Sequence, residues 1–121
     1  MNFHEIENIK IPHLDDWEIR LNKLCYLSPE DADGITGLAN GVTVWDIYFV
    51  QDMFQAVHTK GTSLVDIGWY PDGDPQGHFC LLVVAKNQTD NKFDWIEPVK
   101  QYETRSIDDL LKKLWQIMGI E

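Results

Sequence analysis

The residues whose types could do chemistry are scattered along this chain. Asp72-Gly73-Asp74-Pro75-Gln76-Gly77 imitates the opening of a calcium loop, with oxygen ligands at the first, third and fifth positions and glycine at the sixth. Its twelfth position is Val83, where a bidentate glutamate should stand, so an ordinary loop between strands is the better reading, with partner contact beside it. Pro71 and Pro75 would stiffen the loop and hold out Asp72 and Asp74 at little ordering cost. His4, His13, His58 and His78 show neither HExxH nor HxH spacing, and Cys25 and Cys80 form no CxxC pair, so no local zinc site is set up. No glycine precedes a Lys-Ser or Lys-Thr pair, and no serine lies in a Gly-x-Ser-x-Gly context. Flanked by Leu24, Tyr26, Phe79 and Leu81, the cysteines read as reduced core residues rather than nucleophiles. The expectation is a protein that is not an enzyme and has no cofactor. The alternative is a small enzyme or ligand-binding domain with a pocket between sheet and helices, for which no motif nominates residues.

Carboxylates are the abundant functional group, at Asp15-Asp16, Glu30-Asp31-Asp33 and Asp108-Asp109 among others. In 121 residues there are 20 acidic against 10 basic side chains, a formal charge of −10. Divided after Gly34 and Asp74, the three parts carry −5, −4 and −1, so nine of the ten excess charges precede Gln76. Such acidity argues against nucleic-acid binding, which rests on cationic contacts to phosphates, and against anionic membrane surfaces. It serves solubility, and it also suits a patch that steers a basic partner. The candidate contact residues are Asp15, Asp16, Glu18, Glu30, Asp31, Asp33, Asp72 and Asp74, with Trp69-Tyr70 as an exposed aromatic anchor inside an acidic rim. The longest apolar runs, such as Cys80 to Ala85, are too short to span a bilayer, and Met1 to Lys10 lacks the pattern of a signal peptide. A cytoplasmic location is expected.

These residues need elements to position them. With 44% apolar residues the chain can fold as one domain, and no repeat or linker divides it. Residues 1 to 14 read as an arm with a short extended piece, since Pro12 opposes a long helix. Trp17-Glu18-Ile19-Arg20-Leu21-Asn22 alternates, and continues through Lys23 to Cys25 and Leu27, as a half-buried strand does, which is preferred over a helix opened by an Asp15–Glu18 capping box. Ser28-Pro29-Glu30-Asp31 opens a helix that Gly34, Gly37 and Gly41 keep short. The spacing of Trp45, Phe49, Val50, Met53, Phe54 and Val57 predicts a helix over Val44 to Lys60, stopped by Gly61. Leu64 to Tyr70 and His78 to Lys86 form an antiparallel hairpin about the Asp72 loop. Phe93 to Thr104 reads as a third strand of this meander, interrupted by Pro98, which places it at an edge or gives it a bulge. Ser106 caps a helix from Ile107 to Gly119 whose stripe is Leu110, Leu111, Leu114, Trp115 and Met118. The sum is an α+β domain, with a largely antiparallel sheet of about four strands packed against helices and a helix at the C-terminus.

Val65-Asp66-Ile67-Gly68-Trp69-Tyr70-Pro71-Asp72-Gly73-Asp74-Pro75, a strand after it, and Tyr102-Glu103-Thr104-Arg105 leading into a helix resemble a group of small bacterial immunity proteins. These are partners of polymorphic toxins, particularly those of contact-dependent growth inhibition systems. The likeness runs from Trp45 to the C-terminus, roughly the last two thirds of the chain. It implies a non-enzymatic protein that binds the C-terminal toxin domain of a cognate effector, often a nuclease, and blocks it inside the producing cell. It carries no functional residues. Since a nuclease exposes basic side chains to hold phosphates, an acidic inhibitor could occupy the same surface.

Overall fold

The computed structural model describes residues 1–120. Five antiparallel strands lie side by side in chain order: β1 (Trp17–Asn22), β2 (Phe54–His58), β3 (Ser63–Tyr70), β4 (His78–Ala85) and β5 (Lys100–Thr104). Helix α1 (Val44–Tyr48) is short, and α2 (Ile107–Met118) closes the chain. The α+β expectation therefore holds, with five strands in place of about four.

The hairpin of β3 and β4 runs unbroken from Ser63 opposite Ala85 to Tyr70 opposite His78. Strand side chains alternate between faces, so Val65, Ile67 and Trp69 stand beside Val83, Leu81 and Phe79 on the core face. Phe54 and Ala56 of β2 extend that face, and α2 lays Ile107, Leu110, Leu111, Leu114 and Met118 on it. Ser106 caps α2 by accepting from the Asp109 amide at 3.1 Å, and Gly119 ends it in a left-handed conformation at φ 78°. On the outer face Val57, Leu64 and Val84 make a small second cluster with Phe93.

The helix expected over Val44 to Lys60 is corrected. It stops at Tyr48, and Phe54 to His58 is strand β2, the one beyond the expected four. The reason lies in the backbone partners available beyond Tyr48. The Phe49 carbonyl accepts from the Gly73 amide at 2.8 Å, Val50 from Trp69 at 2.9 Å, and the Gln51 amide donates to Asp72 at 2.9 Å. Tertiary hydrogen bonds thus replace helical ones. β2 also has a strand on each side, and Val57 is buried on the outer face as Phe54 and Ala56 are on the core face, so its apolar residues recur at intervals that mimic a helical stripe.

The strand expected over Phe93 to Thr104 shortens to Lys100–Thr104, at the sheet edge as Pro98 suggested. Phe93 keeps only an isolated bridge to Lys86. The helix at Ser28 is a 3-10 helix over Pro29–Gly34, and Ser28 gives its hydroxyl to Glu30 rather than capping the backbone. The N-terminal arm is stitched down. The Ile9 amide donates to Leu24 at 2.8 Å, the Tyr26 amide to Glu7 at 2.8 Å, and the Ile9 side chain is buried.

Candidate functional site

The acidic residues proposed as one surface fall into two groups at opposite ends of the sheet. Glu30, Asp31 and Asp33 lie on the 3-10 helix, Asp46 on α1, and Asp72 and Asp74 on the loop between β3 and β4. Contacts hold these segments together. The Trp45 indole donates to Asp33 at 3.0 Å, Asp72 accepts from the Gln51 amide, and Asp74 accepts from the Gln76 amide at 2.9 Å. Gly73 lies so near α1 that a Cβ there would stand 3.2 Å from the Asp46 carboxylate. The cation brought among them, Arg105, spends its guanidinium on the Pro75 and Gly77 carbonyls and over the Trp69 ring at 5.5 Å. Glu30 is held below the ordinary carboxylate range, first by the Ser28 hydroxyl, then by its own backbone amide, with Arg105 adding a smaller effect.

Asp15, Asp16 and Glu18 sit at the other end. Trp17 pairs with His58, and the Asp16 carbonyl accepts from Thr59 at 2.9 Å, which places these acids beside the turn from β2 to β3. The eight residues of β3 separate that turn from the Asp72 loop by about 25 Å. His13 and Asp15 approach at 3.3 Å in open solvent, where a pair contributes little.

Trp69 is not an exposed anchor. Its exposure is 0%; it lies on the core face, and its indole donates to the Asp74 carbonyl at 2.7 Å. Trp45, Phe49 and Phe79 surround it with ring centroids 5.8, 4.7 and 5.0 Å away. Tyr70, one residue on, faces the opposite way and is half-buried.

On that outer face lies a groove that sequence reasoning missed. Tyr70, His78, Cys80, Leu82, Trp95 and Glu103 line most of it, and its volume is about 420 Å³. His78 approaches Glu103 at 3.4 Å. Trp95 is 47% exposed and the adjacent Ile96 92%. The available signal was Asp94-Trp95-Ile96-Glu97-Pro98, where an aspartate followed by a proline marks a turn rather than a strand. Asp94 accepts from the amides of both Ile96 and Glu97 at 3.1 Å.

The groove's chemistry favours binding over nucleophilic attack. Burial, then Glu103 and Asp66, push the Cys80 thiol up, which suppresses the thiolate. Cys25 is also buried; its thiol is raised by burial and donates to Asn8 at 3.2 Å. Among the described residues no three His, Cys, Asp or Glu side chains converge as a metal-ligand set, and no helix is long and apolar enough to cross a membrane.

Beside the groove, burial raises the Asp66 carboxyl, the Gln55 amide partly offsets this, and Asp52 adds to it. An acid whose value rises on folding loses stability as pH climbs from the ordinary carboxylate range through the raised value, and carries the full penalty above it. Asp66→Asn is therefore expected to raise stability at pH 7 by up to about 1 kcal/mol. That gain should vanish near about pH 3, and urea midpoints at the two pH values measure it.

Fold and surfaces together define a small α+β domain with acidic groups at both ends of the sheet, the larger at the Asp72 loop, and an aromatic groove on the outer sheet face. The chain matches no protein-family model, no curated protein and no solved structure.

Proposed function

We propose that this chain is a non-enzymatic immunity protein, acting in the cytoplasm, that binds and neutralises a cognate secreted toxin domain, a nuclease, through its acidic end. The observation that carries the reading is the gathering of Glu30, Asp31, Asp33, Asp46, Asp72 and Asp74 from three segments, while Arg105 is turned onto backbone carbonyls and a tryptophan ring. Such an end attracts the basic surface with which a nuclease holds phosphates, and repels the nucleic acid itself. The alternative, a ligand-binding domain or enzyme, would use the outer groove. There the thiol is held protonated and no hydrogen bond links it to His78, so a nucleophilic role gains no support.

The test is co-expression with the basic C-terminal domain of a secreted protein encoded beside this gene. Rescue of growth together with co-purification supports the reading, and rescue without a stable complex defeats it. Steering predicts a second result. Glu30→Gln, Asp31→Asn and Asp46→Asn combined are expected to slow association about tenfold at low salt, with dissociation little changed. Neutralising Asp15, Asp16 and Glu18 at the far end should leave the rate within about twofold, because screening acts over about 10 Å. Stopped-flow measurements across ionic strength distinguish the two variants. Equal effects from both ends would rule out a localised contact.

A further inference from the structure

We propose that the groove on the outer sheet face receives one arginine side chain of the partner, held between the Trp95 and Tyr70 rings against the Glu103 carboxylate. The inference rests on the binding role proposed above and names the chemistry that grips the partner.

Trp95 is the tryptophan that lines this groove. Three rings carry cations of the chain itself: Arg105 over Trp69 at 5.5 Å, Lys86 over Phe93 at 5.6 Å and Lys113 over Tyr102 at 5.1 Å. Trp95, the most exposed tryptophan, carries none among the described residues. Its segment is already fixed. The Asp94 amide donates to Ala85 at 3.0 Å, the Val99 amide donates to Val83 at 2.8 Å, and the Asp94 carboxylate holds the turn between them. A ring presented on a rigid turn loses little freedom when a ligand covers it.

Charge selects the occupant. Glu103 is half exposed beside the rings, with His78 3.4 Å from one carboxylate oxygen and the Gln101 amide donating to the other at 2.9 Å, exposed contacts that a guanidinium can displace. Asp66 lies across from Leu82 on the same face, beside the groove. A planar guanidinium can stack on an indole and donate in a fork to a carboxylate at once, which an ammonium cannot. Tyr70 leads directly into the Pro71 to Gly77 loop, so the groove is continuous with the acidic end. A cationic surface drawn to that end therefore arrives with the groove within reach of its side chains.

The test measures binding of the same basic domain to the wild type and to Trp95→Leu, Trp95→Phe and Glu103→Gln. Trp95→Leu and Glu103→Gln are each expected to weaken binding about tenfold, chiefly through faster dissociation, while Trp95→Phe stays within about threefold. All three alter exposed side chains, and unchanged circular dichroism and melting confirm that the fold persists. Wild-type affinity in Trp95→Leu would show an apolar seat and overturn the arginine receptor. A loss in Trp95→Leu without one in Glu103→Gln would overturn it too. Binding by the wild type with no effect of any variant defeats this inference alone, whereas no binding by the wild type defeats the immunity reading and the inference with it.

Discussion

Trp69→Ala is expected to cost about 3–5 kcal/mol and to leave the protein close to unfolding at 25 °C, because domains of this size hold only about 5–15 kcal/mol in total. The indole is fully buried, and its removal opens a hole bounded by Trp45, Phe49 and Phe79. Stiff rings and a five-stranded sheet cannot collapse into that space without moving β3 or β4. The loss extends to polar groups. The Asp74 carbonyl would lose the indole donor at 2.7 Å, and Arg105 would lose the ring beneath its guanidinium. Trp69→Phe keeps most of the ring volume but not the donor, so a cost of about 1–3 kcal/mol is expected. Urea midpoints followed by circular dichroism, with an unchanged slope, read both values. A loss below about 2 kcal/mol for the alanine variant would show that the aromatic cluster repacks freely. Trp95→Ala serves as the surface control and should stay within about 0.5 kcal/mol.

The contrast between Trp69 and Trp95 shows where the sequence was legible. The β3–β4 hairpin could be read because both strands are apolar and the seven residues between them include two prolines and two glycines. The α2 helix could be read because its cap, its stripe and Gly119 agree. Which face of β3 an individual residue takes depends on where the helix lands. Trp69 and Tyr70 are adjacent and therefore opposite, and the α1 segment, which lays Trp45 and Phe49 on one face of β3, decides which is core. β2 was hidden for a related reason. With Val57 buried on the outer face beside partly buried Gln55, β2 lacks the clean alternation of a half-buried strand, and Phe49, Val50, Met53 and Phe54 also satisfy helical spacing. The acidic residues were legible in number but not in place. Asp16 and Glu30 are close in sequence, yet β1 and the chain after it carry them to opposite ends. Asp46, a lone acid within an apolar stretch, joins the acidic end through α1 and Gly73.

The other large effect is expected at Gly68, where a single added methyl group should destabilise the fold by roughly 3 kcal/mol or more. Gly68 has no positive φ, so alanine suits its backbone and would by itself give a small entropic gain of about 0.4–1 kcal/mol. Space opposes it. A Cβ at Gly68 would stand 2.0 Å from the Gln51 carbonyl oxygen and 2.9 Å from its carbon. Both atoms are backbone, and the 50–53 segment that carries them is tied to β3 on either side. The Met53 amide donates to Ile67 at 3.0 Å, and the Trp69 amide donates to Val50 at 2.9 Å. To relieve the overlap, the segment must lift off β3, which endangers both bonds and the one from the Gln51 amide to Asp72. Each is worth about 1 kcal/mol, and any group left buried without a partner costs more. Gly34→Ala, with nothing within 4 Å of the new methyl, is the control and should be nearly neutral. Hydrogen exchange supplies a readout that global stability does not. In Gly68→Ala the Met53 and Trp69 amides should lose protection before those of β4, because the strain enters at the crossing segment. The same segment joins α1 to the Asp72 loop, so its displacement should also disturb the placing of Asp46 and Asp72 at temperatures where the variant remains folded. Normal exchange at Met53 and Trp69 alongside a loss of stability would place the damage elsewhere in the sheet.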